Sequence, residues 1–304
     1  MPGKILSKVY GALPGVRERC DMRAALWHVE QGLCDMQWML RRFEAQLTCP
    51  VIRLLDFDLE NHPRYGDPRR LLRYQAQICS QNHEDGIVHE IFRRIGATDK
   101  VFAEIGVGNG NENNTAFLLS QGWTGFWVDG DRGFLEALRG RDDLQDECLK
   151  HLVSFVTREN VADLFRQLGV PREFDFLSLD INQNTYYAWE GLQEYRPRVV
   201  AVEYNAAPPP DVDWKVRYDP QRTTDGSQNY GASLKVFELL GRRFGYSLVG
   251  CGFTGLNAFF VRDDVVGDHF VAPYTAENHY EPLRYPTIHR RSHPARILDR
   301  MVAG

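Results

Sequence analysis

Residues 101 to 120 place an apolar run, three alternating glycines and a polar-to-apolar segment end to end. That order leaves few folds open. Val101-Phe102-Ala103 reads as a buried strand. The run EIGVGNG continues it, with Glu104, Gly106, Gly108 and Gly110. Asn111 to Ser120 then turns apolar at Phe117, Leu118 and Leu119 and reads as a helix. Glycines at a strand-to-helix turn let the main chain bend sharply and approach a ligand closely. A dinucleotide fold wants the pattern G-x-G-x-x-G. Here the third glycine arrives one residue early, and position 111 is asparagine.

From residue 101 strands and helices alternate. The pattern predicts strands at 101–106, 124–129, 152–156, 174–180 and 198–203, with helices near 111–120, 132–139, 160–168 and 185–194. Such alternation implies a parallel sheet covered on both faces. A long segment follows from Asn205 to about Tyr230, with Pro208-Pro209-Pro210 and Trp214. Segments of that length are usually lids or lack order. A helix at 231–244 precedes two strands, Tyr246–Cys251 and Leu256–Arg262, separated only by Gly-Phe-Thr-Gly. Four residues cannot hold a crossover helix, so these strands must pair antiparallel. The expected fold is α/β: a Rossmann-like, seven-stranded, mostly parallel sheet with a C-terminal antiparallel hairpin and an N-terminal helical extension.

That extension spans 1–96. Ala24, Leu26, Trp27, Leu33, Met36, Met39, Leu40 and Phe43 recur at mostly helical intervals. Its polar positions mix both charge signs, which favours packing on the catalytic domain or on a second subunit over a membrane surface. The N-terminal helices are therefore the expected route to a homo-oligomer. After Pro50, Pro63 and Pro68, SQNHEDGIVHEIFRRIG forms a second amphipathic helix with Ile87, Ile91, Phe92 and Ile95 on one side, ending at Gly96. The catalytic domain is expected at 97–270, and a tail packing near the site at 271–304.

A formal charge of −5 over 304 residues gives no basic field for nucleic acid. Six cysteines show no C-x-x-C pair, which favours reduced thiols and a cytoplasmic setting. No uncharged apolar run approaches the ~18 residues of a membrane span. A small-molecule substrate is the expected partner.

An acidic residue followed by G-x-G-x-G resembles the first motif of the class I S-adenosylmethionine-dependent methyltransferases. A parallel sheet closed by an antiparallel hairpin is the strand arrangement of that class. From about residue 64 to 285 the chain resembles the FkbM-like group, through SQNHEDGI, FAEIGVGNGNENNT, GWTGFWVDGD, FDFLSLDINQNTYYAW and RPRVVAVEYN. The resemblance implies S-adenosylmethionine as cofactor, with Gln81 near its amino-acid end. Asp129, at the end of the second strand, is placed to accept from the ribose hydroxyls, with Asp131 beside it. Asp131 reads equally as a helix N-cap. Glu104 reads either as an acceptor for the cofactor's ammonium or as an anchor for the glycine loop. Asn113, Asn114 and Thr115 open the next helix, where free N–H groups face the ligand. Thr157 to Asn160 lie where the adenine edge is read. The related run D-I-D-G-N-D is here Asp180-Ile181-Asn182-Gln183-Asn184-Thr185, with only the first acid kept.

Asp180 and Glu203 end neighbouring strands, with Asn205 two residues further on. An Asp, a second acid and an amide oxygen suit a hard cation such as Mg²⁺, in a layout similar to metal-dependent catechol-type O-methyltransferases. A metal-free site, with Asp180 orienting the substrate or acting as base, is the competing reading. His83, His279, His289 and His293 are the histidine candidates for a general base. Tyr186, Tyr187, Trp189 and Trp214 are candidates for an acceptor pocket. Together these features suggest O-methylation of a small polar or sugar-containing metabolite. An N- or C-methyltransferase, an inactive binding protein on the same fold and a nicotinamide oxidoreductase are the alternatives.

Overall fold

The computed structural model describes residues 26–27, 29–37, 39, 54, 57, 59, 61–131, 133, 148–223, 227 and 229–284. The chain divides into two compact units, Met1–Arg53 and Leu54–Gly304. The described residues of the first unit are helical and leave Leu26, Trp27, Val29, Leu33, Met36 and Met39 exposed. The second unit holds every element below.

Its seven strands are β1 (Val101–Ile105), β2 (Thr124–Asp129), β3 (Leu149–Val153), β4 (Glu173–Leu179), β5 (Arg196–Glu203), β6 (Tyr246–Cys251) and β7 (Asn257–Arg262). They lie in the order β3-β2-β1-β4-β5-β7-β6. The first five are mutually parallel, while β7 runs antiparallel to both β5 and β6. This is the Rossmann-like arrangement that the alternation and the four-residue hairpin require.

Both sheet faces are covered. On one face α1 (Glu84–Ile95) and α2 (Ala116–Ser120) pack Ile87, Ile91, Phe92 and Leu118 against Phe102, Trp127 and Phe176. On the other, α3 (Val161–Leu168), α4 (Thr185–Gly191) and α5 (Leu234–Phe244) pack against Ile105, Leu177, Val200 and Phe260. The helix α1 therefore belongs to the sheet unit. Trp127, Phe102 and Phe176 are wholly buried. Truncating such an aromatic costs about 3–5 kcal/mol.

Three local expectations move. The strand expected at 152–156 starts earlier, at Leu149, and ends at Val153 opposite Asp129. It is an edge strand with only Leu149 buried, so its pairing, not its apolarity, sets its bounds. The helix expected at 111–120 shortens to α2, because 113–115 are tied to Glu104. The helix at 132–139 lies almost wholly outside the described residues. The described residues of the segment 205–230 are tied to the rest of the unit at several points. Val216 N donates to Gly231 O at 2.9 Å, Ser233 N donates to Trp214 O at 2.8 Å, and Lys215 bridges Ala232.

Candidate active site at the carboxyl edge of the sheet

The glycine loop leaves β1 at the carboxyl edge. Gly106 has φ +87°, and a Cβ there would sit 1.7 Å from the Asp180 carbonyl oxygen, so no side chain fits. Gly108 has φ +62° and open space where its Cβ would be. The main chain at 108 thus faces the crevice bare. It is held from behind by Asp129, whose Oδ2 accepts from Gly108 N at 2.7 Å and whose Oδ1 accepts from Asp131 N at 2.7 Å. Each carboxylate oxygen retains acceptor capacity for a ligand.

Glu104 has no such reserve. It is 1 % exposed and accepts from Asn113 Nδ2 (2.5 Å), Asn114 N (3.0 Å), Thr115 N (3.1 Å), Thr115 Oγ1 (2.5 Å) and Ser178 Oγ (3.1 Å). Of its two readings the anchor is the one present. Burial pushes its carboxyl above the usual range, and these donors oppose the rise.

Two cavities flank the loop. The first has a volume of about 260 Å³ and is lined by Gln81, Asn82, Glu84, Glu104, Gly106, Gly108, Asn113, Asn114, Asp180 and Asn257 among others. The second, about 190 Å³, is lined by Ile105, Gly130, Phe155, Val156, Ile181 and Asn182, with Arg222 and Thr223 from the long segment. The first carries four acids (Glu84, Glu104, Glu112 and Asp180) and, among the described residues, no Lys, Arg or His. The second is faced mainly by apolar groups.

The chain before α1 builds one wall of the first cavity. Asp85 Oδ2 accepts from Ile78 N, Cys79 N and Ser80 N at 2.7, 2.6 and 2.8 Å, bending residues 78–85 into a tight arc. Glu84 follows the bend. Its Oε2 accepts from Asn82 N at 2.8 Å and its Oε1 from Asn257 Nδ2 at 2.6 Å. Burial pushes its carboxyl up to about 7.

Asp180 and Glu203 meet across the ends of β4 and β5 and share a hydrogen bond. Loss of solvation raises both, Glu203 further because Asp180 lies against it. Asn182 N, in left-handed backbone at φ +55°, donates to Glu203 Oε2 at 3.0 Å. Tyr230 stands near; its hydroxyl is raised by burial and then by the charges of Glu203 and Asp180.

Asn205 is tied to the backbone beside this pair. It is 1 % exposed, its Nδ2 donates to Tyr230 O at 3.0 Å, and its Oδ1 accepts from Ala207 N at 2.9 Å. Of the expected Mg²⁺ set of Asp180, Glu203 and Asn205, the two acids meet each other, while the amide oxygen already accepts one backbone bond. Among the described residues no group of three His, Cys, Asp or Glu side chains gathers for a metal.

Other candidates fall elsewhere. His279 is buried beside Arg70, Leu71 and Val249, with Nε2 3.0 Å from Val271 O. Burial lowers its pKa to about 3, so it stays neutral, away from both cavities. His83 caps α1 in left-handed backbone at φ +72° and does not line either cavity, although Asn82 and Glu84 beside it line the first. His289 and His293 lie outside the described residues. Thr157 exchanges bonds with Asn160 at the start of α3 and lines neither cavity; Phe155 and Val156 occupy that edge instead. Asp131 is exposed, its Oδ1 accepting from Gly133 N at 2.8 Å. Gly110 is buried behind the loop, its N donating to Val107 O at 3.1 Å. Tyr186, Tyr187 and Trp189 are core, with Trp189 packed on Phe237, Tyr246 and Phe260. Trp214 ties its backbone to Ser233.

Sequence reasoning missed Asn82, Glu84 and Asn257. A polar residue opening β7 ahead of the apolar run 258–261 is the one sequence signal for Asn257.

No family model matches the chain, and no curated protein matches it. Solved structures do. Magnesium protoporphyrin IX methyltransferase from Synechocystis PCC 6803 with bound SAH is 12% identical over 59% of this chain and 81% of that one, with a TM-score of 0.40. The O-methyltransferase from Bacillus cereus in complex with SAH is 16% identical over 62% and 83%, with a TM-score of 0.38. The methyltransferase domain of a bacterial CtHen1 is 17% identical over 60% and 97%, with a TM-score of 0.36.

Proposed function

We propose that this protein is an S-adenosylmethionine-dependent methyltransferase that O-methylates a small polar or sugar-containing metabolite. One observation carries the reading: the cavity under the glycine loop is acidic and holds no cationic side chain among the described residues. A dinucleotide would press a doubly charged pyrophosphate on that loop, where acids repel it. A sulfonium nucleoside brings positive charge to the same place. Asp129 retains acceptor capacity for a ribose diol, and the apolar second cavity suits an adenine.

When bound, the sulfonium nucleoside supplies a methyl group to a nucleophile and keeps the C–S electrons as a thioether. The chain's part is to orient and to take a proton. Gly106 and Gly108 give close approach without side chains. Asp180, paired with Glu203 at the crevice edge, is the acceptor for a proton from a substrate hydroxyl. Tyr230 lies close enough to the same pair to feel both charges. The SQNHEDGI and ENNT segments support a narrower FkbM-like grouping.

Titration calorimetry with adenosylhomocysteine and NADH tests this. Adenosylhomocysteine should bind and NADH should not. NADH binding alone would overturn the proposal.

A further inference from the structure

Leu26, Leu33, Leu40 and Leu47 stand seven apart, and Val29, Met36 and Phe43 follow the first three of them by three. That is a heptad pattern with every a and d position apolar over three repeats. A straight helix turns every 3.6 residues, so a strict seven-residue repeat drifts about 20° per heptad around it. A partner helix wound round it in a left-handed coil keeps such a seam in contact. The helix α1 shows the other pattern. Its Ile87, Val88, Ile91, Phe92 and Ile95 form the wider stripe of a helix lying on a sheet, and the first four are buried there.

The described part of the heptad segment, residues 26–27, 29–37 and 39, is helical and leaves its seam open. Leu26, Val29, Leu33 and Met36 are between 49 % and 59 % exposed. Leu40, Phe43 and Leu47 lie outside the described residues and carry the repeat on in the sequence. The positions beside the seam say which partner fits and in which direction. At e stand Glu30, Gln37 and Glu44; at g stand Gly32, Met39 and Gln46. Two parallel copies set g of one helix against the following e of the other. Gly32 then meets Gln37 and Met39 meets Glu44, with no like charges opposed. Antiparallel copies set e against e, and Glu30 meets Glu44 at both ends. Like charges so placed disfavour that direction. A membrane surface calls for a basic polar face. The described residues of this segment carry Glu30 and Asp35 and no Lys or Arg.

We propose that residues 26–47 pair with the same residues of a second copy of this chain, parallel and in register, as a two-stranded coiled coil. This gives the exposed face one occupant and is independent of the methyltransferase reading.

Sedimentation equilibrium of the full chain tests it. The unaltered protein should have twice the single-chain mass of 35.0 kDa, with a Kd at or below about 10 µM. Leu33→Glu sets two carboxylates face to face in the seam and should weaken association by more than about 100-fold. Gln31→Lys, at f on the far side, should leave Kd within about threefold. Glu44→Lys reads the direction. Parallel copies oppose position 44 with Met39, so Kd should change by less than about threefold. Antiparallel copies would gain an opposite-charge contact with Glu30 at each end and tighten by more, which overturns the parallel arrangement. A single-chain mass at about 100 µM overturns the proposal, and binding of that monomer to phosphatidylglycerol vesicles would give the face to a membrane instead. A dimer that Leu33→Glu leaves intact overturns it as well.

Discussion

The strands β4 and β5 carry charged groups at both ends, and the two ends follow opposite rules. At the entry end Asp175 is wholly buried and accepts from Thr98 N, Asp99 N and Lys100 N, and from Arg198 Nη1 at 3.0 Å. Arg198 in turn donates to Gly96 O and Ile95 O. Burial would raise the Asp175 carboxyl, but Arg198 and the backbone donors hold it below its usual range. Asp99 shares this corner, its carboxyl raised by burial and by its contact with Asp175, while Asp175 itself is paired with a cation. At the exit end, five residues along each strand, Asp180 faces Glu203, and both carboxyls are raised. The same sheet thus holds an arginine-paired carboxylate at one edge, and at the other an acid pair with no cation named against it and amide oxygens without donors. An edge that leaves polar groups unpaired is the one built for a ligand.

Four changes break or sharpen that contrast. The largest effect belongs to Arg198. Arg198→Ala strands a buried carboxylate and should cost about 3–5 kcal/mol in urea unfolding, with adenosylhomocysteine affinity of the folded protein unchanged. A loss below about 1 kcal/mol would mean that Asp175 is satisfied by the backbone alone.

Second, Glu84 ties the ligand edge to pH. Its folded carboxyl titrates near 7 against an ordinary value of 4.5. The folded state therefore holds a proton that the unfolded chain gives up, so stability is fullest below about pH 4.5 and is lost as pH rises toward 7. The stability of the ligand-free protein relative to Glu84→Gln should fall by about 3 kcal/mol between those limits. A flat difference across that range would place Glu84 in contact with solvent.

Third, Asp129→Ala should weaken adenosylhomocysteine binding by more than about tenfold, through loss of charge-assisted bonds and of the loop's tie at Gly108. An unchanged Kd would remove Asp129 from the site. The smallest effect is Asp180→Asn. Relieving an acid–acid contact should leave stability equal or raise it by about 1 kcal/mol, while methyl transfer falls. Destabilisation would show that the pair is a structural lock after all.

Much of this was legible in the sequence because it is local. Three glycines at alternate positions require a bend, and four residues between Cys251 and Leu256 permit only a hairpin. The carboxyl ends of strands put Asp129, Asp180 and Glu203 on one edge. The rest depends on groups brought together from afar. Asn257 meets Glu84 across 173 positions, which no spacing shows. Asn205 has the composition of a metal ligand, and only the structure shows its amide turned to the backbone of Ala207 and Tyr230. Tyr186, Tyr187 and Trp189 have the chemistry of a pocket wall, and periodicity does not say which face the sheet covers. His279 follows a polar segment yet ends up buried because α5 and β6 pack over its helix, Ala276–His279. Phe155 and Val156 extend an apolar run past the point where pairing stops.

The account rests on a sulfonium nucleoside lying across residues 106–110 with its positive end in the acidic cavity. A crystal structure of the complex with adenosylhomocysteine tests that most directly. The amine should lie in the cavity lined by Gln81, Glu84 and Asp180, and the adenine near Phe155 and Ile181. A nucleoside bound the other way round, or bound outside these two cavities, would contradict it.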